Sequence, residues 1–506
     1  MKKYSDLEYL KLSKWERFKY RFVSFFASIP VAIWHAILGI GRWFKKAGLA
    51  IANEVKDIVM TFVNGDWKTR LSYVIMGFGN IARGQVLRGL LFLIFEIVFI
   101  GYMVLAGVYW MSMLPSLGLV GPHKEYHELL DTYVTVYGDN SFKILLYGVL
   151  TMFFIVGFIF TWRLNIKQNK IAEEILRSGK KLKSGKQDLR SLVDDQFHKT
   201  LLALPLTGIL IFTVMPLVFM ILVAFTNYDG THDGFSNNLF TWVGLENFNT
   251  MLHWSGGGST NYAATFGEVL SWTLMWAFFA TFTNYFLGMA VAMMINKKGI
   301  RLKKVWRTIL VTTIAIPQFI SLLYVSKMFA KNGIINGILM DLGWITKALP
   351  FWEDPTWARI TVIAINVWIG IPYLMLIATG ILMNIPADLY ESARIDGANA
   401  VQMYGKITLP YMLFVTGPYL LTSFTGNINN FNVIYLLSQG KPLSLELSGN
   451  AGYTDLLITW LYKMTVTDTN YKLAAVMGIL VFVVTAIINL VVYNLIPSVK
   501  NEEDFQ

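Results

Sequence analysis

Eight stretches of the chain are almost wholly apolar and long enough to cross a bilayer as helices. They fall at 89–111, 144–162, 202–225, 269–294, 308–329, 359–383, 411–436 and 475–497. About 20 residues at 1.5 Å each cover ~30 Å of hydrocarbon. Charge is confined to the connections, and it alternates. Segment 164–200 holds nine Lys/Arg and 226–265 holds none; 296–307, "NKKGIRLKKVWR", holds six and no acid, and 330–357 holds two. Basic connections stay in the cytoplasm. This places 1–88, 164–200, 296–307, 384–410 and 498–506 inside, with both termini cytoplasmic. One further run, "FVSFFASIPVAIWHAILGI" at 22–40, is nearly long enough to span. Seven Lys/Arg precede it in 1–21 and eight follow in 42–88. A single crossing would expose one of those clusters, so a helix in the inner interface is preferred to a true span. Trp15, Trp34 and Trp43 suit that depth.

Composition agrees. Of 506 residues, 55% are hydrophobic and 15% charged, against about a quarter charged in soluble proteins. The fold class expected is an all-α polytopic membrane protein. The net charge of +11 would suggest nucleic acid in a soluble chain; here topology accounts for it, and no nucleic-acid partner is expected. The absence of cysteine excludes disulfides, thiolate metal sites and cysteine nucleophiles. No cleavable signal is expected, since no small-residue cleavage site follows the first apolar run. Connection 226–265 reads as a loop or very small lobe. Connection 437–474 contains Leu456 to Tyr462, a short outer helix rather than a span.

The connection 384–410 is more elaborate than a turn. Pro386 suits the first turn of a helix, and Asp388 and Glu391 favour its positive end. Gly397 permits a turn, and Asp396 is placed to cap a second helix. Ala400, Met403, Tyr404 and Ile407 then fall at i, i+3, i+4, i+7, one apolar face. Pro410 marks the start of the next span. The pattern is helix–turn–helix. An elbow shielding the span ends is one reading. Its acids would face an anionic leaflet, and a protruding helix of this kind suits a partner's groove.

"ESARIDGANAVQMYGKITLP", 391–410, resembles the EAA loop of ABC importer permeases, roughly E-A-A-x-x-D-G-A followed by I-x-L-P. Glu391, Ala393, Asp396, Gly397, Ala398, Ile407, Leu409 and Pro410 fit, and Ser392 replaces an alanine. "WIGIPYLMLIATGILMNIPADLYESARIDGA", "SFTGNINNFNVIYLLSQGKP" and "AGYTDLLITWLYK" are similar to permeases of the maltose/maltodextrin MalF type, over about 200–497. The resemblance implies a type I importer fold: an N-terminal segment 1–88, an accessory two-span hairpin 89–163, a basic linker 164–200, a six-span core 201–497 and a tail 498–506. It implies a MalG-like second permease as heterodimer partner, two cytoplasmic ATPase subunits, an extracellular sugar-binding protein and an oligosaccharide substrate, in a bacterial cell membrane. Coupling to the ATPase would fall to Glu391, Ala393, Asp396, Gly397, Ala398, Tyr404, Leu409 and Pro410. The short 226–265 loop departs from the large domain of the enterobacterial form.

Polar groups at membrane depth are costly unless they line a cavity or pair with one another. In span 411–436, "TSFTGNINNFNVIY" places Ser423, Asn427 and Asn430 at i, i+4, i+7 on one helix face. Interhelical hydrogen bonding is the plain alternative to a lined pathway. The resemblance puts the family's sugar-contacting Ser and two Asn on these same three residues. Its backbone-contacting glycine falls on Gly370, and its tyrosine and serine fall on Ile314 and Gln318, both departures. The expected pathway is thus Ser423, Asn427, Asn430, Gly370 and Gln318.

Other signals are weaker. "GNIARGQV", from Gly79, has G-x4-G but then Gln85 where a P-loop needs Lys. ATP hydrolysis is therefore assigned to another polypeptide, and no cofactor or metal is expected. His123 and His127 lack the zinc-protease Glu, because position 124 is Lys; a solvated loop is expected there. Glu96 lies within the first span, outside the six-span core, and a structural role is favoured. An ion-coupled transporter would show core carboxylates or inverted repeats; a membrane enzyme would show convergent titratable groups. The six core spans carry almost no mid-span charge, which argues against the first, and no convergent titratable groups are found for the second. A permease for galacto-oligosaccharides remains the alternative to one for maltodextrins.

Overall fold

The computed structural model describes residues 13–253, 261–297 and 299–495. The extreme ends, including the tail 498–506, lie outside the described residues. Helix dominates, as the apolar pattern requires. Among the described residues, seven continuous helices are long and apolar enough to cross a membrane: Val86–Met113, Ser141–Arg177, Phe197–Val223, Tyr262–Asn296, Pro355–Leu382, Ala400–Ile428 and Tyr471–Tyr493. The run 22–40 lies within one long helix, Lys14–Asn64.

Two predicted spans are corrected. The stretch 308–329 is a bent pair, Lys303–Ala315 and Gln318–Met328, meeting at 91°. Pro317 explains it: proline offers no N–H and pushes Ile316 out of the helical region, to ψ 125. The stretch 411–436 stops at Ile428, and a separate helix, Phe431–Leu437, follows. Asn430 supplies the break, its side chain accepting from the Val433 N–H at 3.3 Å. A hairpin of His123–His127 with Thr132–Val136 also replaces the loop expected there. The β-branched "TYVTV" is the signal for it.

The chain forms two compact units. In the one built on Leu38–Asn247, polar side chains clip the pre-span segment to the C-terminal extension of the second span. Arg163 pairs with Asp57 at 2.8 Å and Lys170 with the same carboxylate at 2.6 Å. The Lys170 hydrogen bond holds Asp57 below the usual carboxylate range. Arg83, 1% exposed, pairs with Asp66 at 2.5 Å. The P-loop-like stretch is packing: the Gly79 N–H donates to Ser72 Oγ at 2.7 Å, so it is not free to cradle a phosphate. Glu96 is buried and accepts from the Met76 N–H at 2.8 Å. On the loop after the third span, burial alone would raise the Asp229 carboxyl. Hydrogen bonds from Lys472, Thr231 and His232 pull it well below its ordinary range instead.

In the other unit, the fourth span (Tyr262–Asn296) crosses the sixth (Pro355–Leu382) closely. A Cβ on Gly288 would stand 2.6 Å from Leu374 Cβ. Small residues allow that approach. Trp272, Trp276, Leu322, Val362 and Ile434 make one buried cluster of this unit; Tyr285, Met289, Met375 and Met412 make a second. A lobe around the helix Leu457–Val466 closes one end, where the short helix at Leu456–Tyr462 was expected. Its centre is Asp455, which accepts from Gly452 N at 2.7 Å, Thr459 Oγ1 at 2.9 Å and Lys463 Nζ at 2.6 Å. Burial pushes this carboxyl up, against the pull of Lys463. Trp272 Nε1 donates to the Thr454 carbonyl at 3.1 Å, tying the lobe to the fourth span.

Candidate functional site

Two places carry the candidate residues, both in this second unit. In the first, Pro386 opens the helix Ala387–Ile395. The helix ends in a Schellman turn. Gly397 takes φ +77, its N–H donates to the Arg394 carbonyl at 3.0 Å, and the Ala398 N–H donates to the Ala393 carbonyl at 2.8 Å. That turn consumes 396–398, so Asp396 does not cap the next helix. Asn399 does: its Oδ1 accepts from the Gln402 N–H, and Gln402 Oε1 accepts from the Asn399 N–H, both at 2.9 Å. The helix then runs through a π turn, Tyr404–Thr408, into Leu409–Ile428. The π turn lies directly before Pro410, which lacks the N–H a regular helix would use there. Tyr390 and Thr408 hydroxyls bond at 2.9 Å and brace the two helices.

The apolar face expected to be free is turned inward. Met403 and Ile407 are half-buried, and Tyr404 and Leu409 pack on the Tyr285–Met412 cluster. The exposed apolar groups are Leu389, Ile395 (86%) and Val401 (78%), either side of the turn. Glu391, Arg394 and Asp396 are exposed, and among the described residues they form no ion pair. The structure thus gathers Glu391, Ala393, Asp396, Gly397 and Ala398 at a protruding elbow. Tyr404, Leu409 and Pro410 form its root.

The second place is the break at 427–430. Asn427 Nδ2 donates to Thr281 Oγ1 at 3.0 Å, and the Asn427 carbonyl accepts from Trp276 Nε1 at 3.2 Å. Asn430 Nδ2 donates to Asn427 Oδ1 at 3.3 Å. Ser423 lies one turn earlier and bonds Tyr419. Asn430 is not on the face shared by Ser423 and Asn427, because it caps the next helix. Gly370 lies against Asn284: a Cβ there would stand 2.5 Å from Asn284 Nδ2. Gln318 stands exposed at the 91° bend and makes no hydrogen bond to this network. Every side chain of the network is neutral, which suits a polyhydroxyl ligand better than an ion.

Thr281 and Asn284 were not anticipated. For Asn284 the available signal was Ala280, Asn284, Gly288 and Ala292, a polar and small-residue stripe at every fourth position; Thr281 lies off that stripe.

Residues 284–501 match the family described as "Binding-protein-dependent transport system inner membrane component". The chain is also 32% identical over 447 residues to the maltodextrin transport system permease protein MalC of Streptococcus pneumoniae, covering 86% of this chain and 97% of that one. The chain belongs to this family. It is a permease subunit of an ABC importer and not an enzyme; ATP hydrolysis is done by a separate subunit. The galactooligosaccharides transport system permease protein GanP of Bacillus subtilis is 33% identical, over 72% of the permease and 85% of GanP. The maltose/maltodextrin permease MalF of Escherichia coli is 36% identical, over 44% of the permease and 45% of MalF. The matched residues of the family include the elbow and, of the second place, Asn284, Gly370, Ser423, Asn427 and Asn430, whereas Trp276 and Thr281 precede them.

Proposed function

We propose that this permease imports oligosaccharides of the maltodextrin class by alternating access, with its N-terminus in the cytoplasm. Its partners are a MalG-like second permease, two cytoplasmic ATPase subunits and an extracellular sugar-binding protein. The elbow of Glu391, Ala393, Asp396, Gly397 and Ala398 seats in an ATPase cleft, with Tyr404, Leu409 and Pro410 as its root. ATP-driven closure pushes on that elbow. Ser423, Asn427, Asn430 and Gly370, with Gln318 at the bend, face the sugar. The observation that carries the reading is the uncharged hydrogen-bond chain Asn430–Asn427–Thr281 between two spans. The names of MalC and MalF support the sugar class, and 33% identity to GanP keeps galacto-oligosaccharides as the second reading.

Two measurements test it. Gly397→Pro cannot adopt φ +77; it should leave the protein in the membrane and abolish ATPase recovery on pull-down. Unchanged recovery and uptake would refute the docking assignment. Uptake of maltotriose against a β-galacto-oligosaccharide decides the substrate, and preference for the latter would sink the maltodextrin reading.

A further inference from the structure

Among the described residues, Asn284 is one of the buried polar side chains whose hydrogen bonding is incomplete, and it lies midway along the fourth span. The residue is 6% exposed. Its Nδ2 donates to the Ala280 carbonyl one turn back, at 2.8 Å. Its Oδ1 is fully covered and meets no donor among the described residues. A buried acceptor without a donor is unfavourable, and native proteins keep few of them. The amide lies flat on Gly370: a Cβ added there would fall 2.5, 2.6 and 2.7 Å from Nδ2, Cγ and Oδ1. One turn away on the same helix, Thr281 holds Asn427. A single stretch of the fourth span therefore touches both a glycine and an asparagine assigned above to the sugar.

With one N–H committed to Ala280, Asn284 keeps a second N–H and an unmet carbonyl acceptor, and that acceptor can serve a ligand hydroxyl. We propose that Asn284 is a specificity-determining residue of this pathway. Its side-chain carbonyl accepts a hydrogen bond from one hydroxyl of a neutral sugar once the sixth span shifts off it. The described state then stores an unmet acceptor that the substrate satisfies. This rests on the oligosaccharide reading above and adds a residue from a span to which that reading assigns no contact.

The test uses the assembled importer in proteoliposomes with maltose and its monodeoxy analogues. Asn284→Leu keeps the branching and removes the acceptor. The expected result is a KM raised about three- to tenfold with Vmax kept, the effect of losing one neutral hydrogen bond. The wild type should discriminate against one monodeoxy maltose, and the variant should not. A packing role would lower uptake of all the sugars equally; that result, or an unchanged KM, overturns the proposal. If Asn284→Leu fails to assemble, Asn284→Ala carries the same readout without added bulk. Asn427→Ala is run in parallel. Normal uptake by it overturns the pathway itself, whereas impaired uptake by it beside unaffected Asn284 variants overturns only the role of Asn284.

Discussion

Gly397 and Gly370 are both needed, for opposite reasons. At Gly397 the space is open: a Cβ would meet nothing within 4 Å. What matters is φ +77, which lets the Schellman turn close and the chain re-enter a helix at Asn399. At Gly370 the backbone is ordinary helix, and the space is gone, because the Asn284 amide occupies it. One glycine is required by its own dihedral and the other by a neighbour far along the chain. The elbow is thus built by local turn chemistry and left exposed. The crossing is built by the fit of two helices and is buried. Damage at the elbow should stay local and spoil docking; damage at the crossing should spread through the span packing.

The buried side is tested most severely at Lys463, in the lobe over the fourth span. Lys463→Met strands the Asp455 carboxylate, whose side chain is fully buried. Breaking such a pair costs about 3–5 kcal/mol, readable as a fall in melting temperature of the purified complex. The carboxyl has a second option, because burial already pushes its pKa up. A carboxyl raised in the folded state contributes stability below its unfolded pKa, about 3.9, and that contribution is lost as pH rises. The variant's deficit should therefore shrink toward pH 4 and widen toward neutrality. A deficit independent of pH would mean that Asp455 stays ionised.

Gly370→Ala comes next. The added methyl group meets the buried amide, and overpacking of this kind costs roughly 1–3 kcal/mol. Uptake should fall with it. Asn284→Ala removes the obstructing group, so the double variant should recover the stability lost to Gly370→Ala. A coupling of at least ~1 kcal/mol in the cycle is expected for residues in contact. Additive effects would show that the two residues do not share the site.

The same contrast explains what could be read from the chain alone. Most of the spans and the elbow rest on composition and on residues that act locally, such as Pro386 and Gly397, and these were legible. Asp396 was misassigned as a cap because the Schellman turn consumes three residues first, so Asn399 takes that role. Pro317 was visible, yet the apolar run around it hid a 91° bend. The run Asn427–Asn430 read as one face of a helix, although asparagines at this density cap and break helices. Asn284 had no local signature, since its meaning comes from Gly370. Side-chain pairs between spans are invisible until the spans are placed.

The smallest effect belongs to the elbow and separates the two glycines cleanly. Gly397→Ala forces a Cβ into the left-handed region, at about 1–2 kcal/mol. Gly397→Asn should lose less, because asparagine visits that region more readily. The order of ATPase recovery should then be Gly, Asn, Ala, with little change in global melting temperature, since the turn is exposed and its strain is local. At Gly370 the order reverses: alanine, the smallest side chain, is the least harmful, and asparagine is worse. If asparagine and alanine rank alike at both positions, dihedral and packing are not the separate requirements that φ +77 and the 2.5 Å approach of Asn284 indicate.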